Sequence, residues 1–213
     1  MTLFLGKTAI SPVINVGGGS VTPSAKYKLL QRVSDDSNNE IGTVSGFFTD
    51  ANDVEYAVVC LDAIYRNSST QWASATGNVT NMPLYYNWSI WNTKETATKN
   101  TQLILDYCTA NGLTSSVCTH CRQYSFTIGG ITYYGQLPNI IELIDIARHC
   151  SAIDTADTSA SSNTSLNFLT GKNCWSSTQY NSNNSWFLNG YSSIINVSKS
   201  SNYFAVPVLE IPN

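Results

Sequence analysis

Charge is scarce in this sequence. Of its 213 residues, 12% are Asp, Glu, Lys or Arg, where an average globular chain carries about a quarter. The 11 Lys and Arg stand against 14 Asp and Glu, a formal net charge of −3. No basic surplus is left to neutralise phosphates, so nucleic-acid binding is not expected. Long apolar runs are missing as well. Val58-Val59-Cys60-Leu61 stops far short of the about 18 residues that a membrane-spanning helix needs, and no membrane insertion is expected. The first residues show no secretory pattern, because Lys7 follows the short apolar patch Met1-Thr2-Leu3-Phe4-Leu5 instead of preceding it. A lipidation motif is missing too. Only His120 and His149 are available as neutral bases.

Ser, Thr, Asn and Gly take the place of charge. Hydrophobic residues make up 42% of the chain, and 5 Trp, 12 Tyr and 7 Phe are among them. Disordered chains are poor in aromatics, so this one is expected to fold. Its length suits one large domain or a domain with an appendage, and can bury a core without staples. Six cysteines (Cys60, Cys108, Cys118, Cys121, Cys150, Cys174) would suit three disulfides in a secreted protein. With no export pattern, reduced thiols are the expectation. The sequons at Asn67 and Asn78 follow from the abundance of Asn, Ser and Thr.

Residues 1–22 read as a separate attachment segment. Leu3 to Thr8 is a candidate strand, and Gly17-Gly18-Gly19-Ser20 is a flexible tether. A functionless disordered stretch would have the same composition. Residues 23–213 form the main domain. Tyr27 to Val33 alternates loosely, Thr43 to Phe48 is β-prone, and Val54 to Leu61 reads as a buried strand. The clusters Asp35–Asn39 and Thr49–Asp53 are turns. Residues 67–92 space Trp72, Tyr85, Tyr86, Trp88 and Trp91 with small polar residues, which predicts loops packed on the core. Helices are expected over 95–110, stopped by Asn111-Gly112, and from Leu137-Pro138 to about Cys150. In the second, Glu142 early and Arg148 late suit the macrodipole. Short strands follow Cys174, and Phe204 to Ile211 closes a sheet.

Residues 176–203 are unusual. Of these 28 positions, nine are Ser, six Asn and three Tyr, and only Lys199 is charged. Antibody loops use the same palette, because Tyr gives rigid amphipathic contact while Ser and Asn adapt their hydrogen bonds. Trp175 and Trp186 pin the segment, with Leu188 and Ile195 at expected inward positions. Solvated inert surfaces usually carry Lys and Glu for solubility, so the pattern favours a recognition surface on a rigid scaffold.

Four runs in order carry a resemblance: Gly135-Gln136-Leu137-Pro138 followed by Glu142-Leu143, then Cys174-Trp175-Ser176-Ser177-Thr178-Gln179-Tyr180, then Asn184-Ser185-Trp186-Phe187-Leu188-Asn189, and Val206-Pro207-Val208-Leu209. Together they resemble the C-type-lectin-like domain of variable proteins diversified by retroelements, over roughly residues 130–211. Ala205-Val206 stands where that family often has Val-Arg, and Cys174 replaces an aromatic.

The resemblance implies an α+β fold of the C-type-lectin-like (formylglycine-generating-enzyme-like) type, with a variable region at about 175–208. It implies a non-enzymatic adhesin whose altered side chains share one solvent-facing surface. Carried over by position, the ligand-binding residues are Tyr180, Asn181, Asn183, Asn184, Phe187, Gly190, Tyr191, Ile194, Asn196, Ser198, Ser200, Ser201 and Tyr203. Trp175, Ser176, Ser177, Trp186, Leu188 and Pro207 are scaffold. Phe187 and Ile194 are expected to be exposed, as only a binding surface would require. Since no export pattern is seen, the resemblance points to a receptor-binding protein of a phage tail fibre, assembled in the host cytoplasm and carried on the virion. Its partners would be a host cell-surface receptor, protein or glycan, and other tail proteins through residues 1–22. Homotrimeric display would raise avidity. A bacterial surface-displayed binding protein of the same fold, and an inert structural virion protein, are the alternatives.

Other chemistries are weaker. Cys118-Thr119-His120-Cys121 lacks the second ligand pair of a structural zinc site, and His120 lies inside the motif. A redox pair would open a helix, whereas Gln123 to Ile128 reads as a strand; structural thiols or a local disulfide are expected first. Calcium-dependent sugar binding needs clustered oxygens. The Glu-Pro-Asn and Trp-Asn-Asp signatures of calcium-using lectins are missing, Glu210-Ile211-Pro212-Asn213 has the wrong spacing, and Asp154 and Asp157 read as turn acids. No metal, cofactor or catalytic residue is expected.

Overall fold

The computed structural model describes residues 26–62, 70–157, 172–190 and 193–213. The attachment segment expected at 1–22 and the sequon at Asn67 lie outside the described residues. Among the described residues the architecture is α+β, built from small antiparallel sheets, three α-helices and a 3-10 helix over Asn87–Asn92.

The largest sheet has four strands: β1 (Arg32–Ser34), β2 (Glu40–Thr49), β3 (Glu55–Leu61) and, far along the chain, β11 (Val208–Pro212). Their spatial order is β1-β2-β3-β11, and every pair is antiparallel. The turns flanking β2 follow from side-chain chemistry. Asp50 Oδ1 accepts from the N–H of Asn52 at 2.8 Å and of Val54 at 3.0 Å. Asp35 Oδ1 caps the preceding turn through Ser37 and Asn39 in the same way. Gly42 is required by close approach, since a Cβ there would meet the Cys60 carbonyl oxygen at 2.4 Å.

Both faces of this sheet are covered, so β3 reads as a continuous apolar run. Val58 and Cys60 join Leu143, Ile146 and Ile153 in one core. Ala57, Val59 and Leu61 pack with Leu209 and Ile211 in another. The latter is lidded by a hairpin of β5 (Ser125–Ile128) and β6 (Ile131–Tyr134).

Helix α1 (Ala97–Ala110) is capped by Thr96, whose hydroxyl accepts from the Lys99 N–H at 3.1 Å. Helix α2 (Ser116–Arg122), capped by Ser115, stands where no helix was expected, and it holds both Cys118 and Cys121. Helix α3 (Ile140–Asp157) starts later than predicted and runs past Cys150. Asn139 explains the start: its Oδ1 accepts from the N–H of Ile141 and Glu142, and Glu142 Oε2 returns a bond to the Asn139 N–H at 2.8 Å. This is a capping box. Ile153, fully buried in the core, holds the added turn.

Glu142 does more than balance a dipole. It is 1% exposed and faces Glu210, whose two carboxylate oxygens accept the Ala97 and Thr98 N–H groups at 2.7 and 2.8 Å. Burial first, and Glu210 second, push the Glu142 carboxyl well above its usual 4.5. Glu142 therefore holds its proton to a higher pH than a solvated carboxyl does. A raised native pKa gives stability that is complete below 4.5 and lost as pH rises through the native value. Urea midpoints measured across that range will fall relative to those of Glu142→Gln, which holds a neutral donor at every pH. Parallel curves would refute the raised native pKa.

The remaining strands build the region of interest. They are β4 (Thr70–Gln71), β7 (Lys172–Gln179), β8 (Asn184–Gly190), β9 (Ser193–Ser198) and β10 (Asn202–Tyr203). Strands β7, β8 and β9 form one antiparallel sheet in that order, and β10 pairs with β4.

Candidate functional site

The run from Trp175 to Gln179 is buried although four of its five residues are polar. The cause is a register break against β8 between Trp175 and Gln179, which leaves backbone groups without ladder partners. Side chains of the motif satisfy them and their neighbours. Ser176 Oγ donates to the Trp186 carbonyl at 2.8 Å, and Thr178 Oγ1 accepts the Ile140 N–H at 2.9 Å. Ser185 Oγ donates to the Thr178 carbonyl at 2.7 Å, while Gln179 Oε1 accepts the Val79 N–H at 3.0 Å. The indole N–H of Trp72 reaches the Ser176 carbonyl, and that of Trp175 the Thr70 carbonyl. The Trp-Ser-Ser-Thr motif is thus internal framework, and Trp186, Leu188 and Pro207 are buried with it.

The sheet β7-β8-β9 is itself packed on both faces, which divides the predicted contact residues. Cross-strand register places Asn184 opposite Ser198, Trp186 opposite Asn196 and Leu188 opposite Ile194 on one face. Phe187 and Ile195 lie on the other, with Trp175. Phe187 is 2% exposed, stacked on Tyr203 with ring centroids 4.8 Å apart and tilted against Trp175 at 6.2 Å. It is a core residue, against the expectation of exposure. Tyr203 is half-buried in the same cluster. Ile194, also expected outside, is half-buried against two core clusters. Gly190 is buried. Ile195, expected inside, is 41% exposed, because β9 is the edge strand. Tyr191 lies outside the described residues, as do the side chains of Asp154 and Asp157.

What remains outward gathers at one end of the sheet. Asn183 and Ser200 are exposed, while Tyr180, Asn181, Asn184, Asn196, Ser198 and Ser201 are half-exposed. Asn181 Oδ1 accepts the N–H of Asn183 and Asn184, which rigidifies the β7–β8 turn. Asn184 Nδ2 donates to Asn196 Oδ1 at 2.8 Å, and the Ser198 and Ser200 hydroxyls share a bond of 2.9 Å. The Lys199 N–H donates to the Asn183 carbonyl at 3.0 Å, which ties the two turns together. Asn202 and Tyr86, absent from the motif-based set, are also exposed here. Tyr86 meets the Tyr180 ring edge-on with centroids 5.3 Å apart. Only an aromatic in a charge-free loop hinted at it.

Lys199 is the reverse of a surface charge. It is fully buried, its ammonium donates to the Gly77 carbonyl at 2.7 Å and to Gln179 Oε1, and it lies 4.6 Å over the Trp72 ring. Both acceptors are neutral. Burial pushes its pKa down to about 7.

Five of the six cysteines are buried and Cys150 is half-buried. No disulfide joins any of the six cysteines. Burial pushes Cys118 and Cys174 up to about 12 and raises Cys121 as well, so none of these three supplies a thiolate at neutral pH. His149 Nδ1 lies 2.9 Å from the carbonyls of Ser45 and Asp145. Among the described residues, no group of three or more His, Cys, Asp or Glu side chains could hold a metal ion. No described helix is long and apolar enough to cross a membrane. Comparison with models of known families, with curated proteins and with solved structures finds no match to this chain.

Proposed function

We propose that the chain is a non-enzymatic adhesin of C-type-lectin-like fold, a receptor-binding protein of the phage-tail type diversified by a retroelement. One observation carries this reading: buried motif residues alternate along the chain with outward amides and hydroxyls. Trp175 to Gln179 and Trp186 to Leu188 are internal, while the intervening Asn181, Asn183 and Asn184 reach solvent. Ser198 and Ser200 join them from the next turn, held by backbone bonds that do not depend on side-chain identity. Apart from Asn181, whose amide oxygen holds the turn, such residues can change without unfolding the scaffold. The binding set is narrower than the resemblance implies, because Phe187 and Gly190 belong to the interior and Ile194 and Tyr203 pack against it.

Replacing the exposed pair by Asn183→Lys with Ser200→Lys tests the reading. Adsorption of the labelled chain to receptive bacterial cells will weaken by about a hundredfold, from two unpaired charges at the interface. Unfolding stability will change by about 0.5 kcal/mol or less. Unchanged adsorption would favour an inert structural protein. Incorporation into virions, followed by immunolabelling, separates a tail protein from a cell-surface one.

A further inference from the structure

Residues 67–93 contain no Asp, Glu, Lys, Arg or His, and between 173 and 209 only Lys199 is charged. The fold joins these two uncharged segments. The Ala73 N–H donates to the Lys199 carbonyl at 3.1 Å, the Gly77 N–H to the Ser182 carbonyl at 2.6 Å, and the Tyr85 N–H to the Gln179 carbonyl at 3.1 Å. Gln71 Nε2 reaches the Ser200 carbonyl at 2.8 Å. The single ammonium in this region is sequestered beneath the surface, against neutral oxygens and Trp72. The described residues of these two segments therefore contribute amides, hydroxyls and aromatic rings and no exposed side-chain charge, and at their border the Tyr85 hydroxyl donates to the Glu95 carboxylate. Tyr86, 49% exposed, stands on Tyr180 beside the asparagine turn.

We infer that this end binds a neutral glycan, with Tyr86 as a stacking platform and the amides of Asn183, Asn184 and Asn196 as hydrogen-bonding groups. The inference rests on the adhesin reading and names its ligand. A sugar ring has an apolar C–H face that an exposed aromatic ring covers. Its hydroxyls donate and accept at once, as a carboxamide does. An acidic polysaccharide, or a protein surface with its usual quarter of charged residues, would have to desolvate charges against groups that offer no counter-charge. A neutral glycan carries no such penalty. Tyr86 lies outside the diversified stretch, so it supplies a constant contact beside changeable ones.

The test uses the full chain, fluorescently labelled, on bacterial cells that it stains. Periodate, which cleaves vicinal diols, will abolish staining, and protease treatment of the cells will not. Staining will hold from about 0.05 to about 1 M sodium chloride, because no ion pairs are screened, and in excess chelator. Tyr86→Ala will weaken binding about tenfold while Tyr86→Phe retains it. Staining that survives periodate and is lost on proteolysis would overturn the inference in favour of a protein receptor, leaving the adhesin intact. A steep loss with salt would overturn it in favour of a charged ligand. If the chain stains no cells, the adhesin reading falls, and this inference falls with it.

Discussion

Phe187→Ala will lower unfolding stability by about 3–5 kcal/mol, the range for removing a buried aromatic ring and leaving a cavity. The ring is 2% exposed and stacked on Tyr203, with Trp175 tilted against it. These three fill the space between the β7-β8-β9 sheet and the cluster of Trp72, Ile104 and Val117. The cavity cannot collapse easily, because Trp175 is fixed at its indole N–H by the Thr70 carbonyl at 2.8 Å. Chemical denaturation of the variant against wild type checks the value. A contact residue on a binding face would behave oppositely, with a loss of about 0.5 kcal/mol or less and a large loss of adsorption. That outcome would return Phe187 to the binding surface and undo the division of the sheet into two packed faces.

Between about pH 7 and pH 9 the wild-type protein will gain stability relative to Lys199→Met, on the order of 3 kcal/mol. The sign follows from the lysine alone. In the unfolded chain it holds its proton up to its usual 10.5, whereas burial brings the native value to about 7. Over that window the unfolded state binds more protons, so stability rises with pH. As pH falls through 7 the native state must accommodate an ammonium among Gly77, Gln179 and Trp72, and the gain disappears. Glu142 acts in the other direction, but it is present in both proteins and cancels in the difference. Cys108, which also faces the ammonium, is raised by burial and is likewise common to both. Urea titrations at successive pH values provide the measurement, and equal slopes would show that Lys199 is solvated in the native state.

Strands β2 and β3 were legible because both faces of their sheet are buried, so apolar runs and flanking Asp-Asn turns coincide. The helix over 97–110 was legible from its spacing and its Asn-Gly stop. Helix α2 was not: at seven residues, with Ser and Thr among its cysteines, it owes its form to burial of Val117, Cys118 and Cys121 rather than to propensity. The division into inward and outward residues failed at Phe187, Ile194 and Ile195 for one reason. Alternation separates inside from outside only when one face of a sheet meets water. Here both faces of β8 are packed, and exposure is set by position along the strand and at the β9 edge.

The amino-acid order alone determined the composition of residues 176–203: one charge, many Asn, Ser and Tyr, and large apolar residues spaced between them. It determined, too, that tryptophans would anchor the segment after Cys174. Only tertiary structure decided which of those residues reach solvent. It also decided that the lone lysine would be withdrawn from the surface, since its acceptor at Gly77 lies 122 positions away. Local patterns encode periodicity and composition, whereas burial is a property of what packs against each face, and that is supplied by segments remote in the chain.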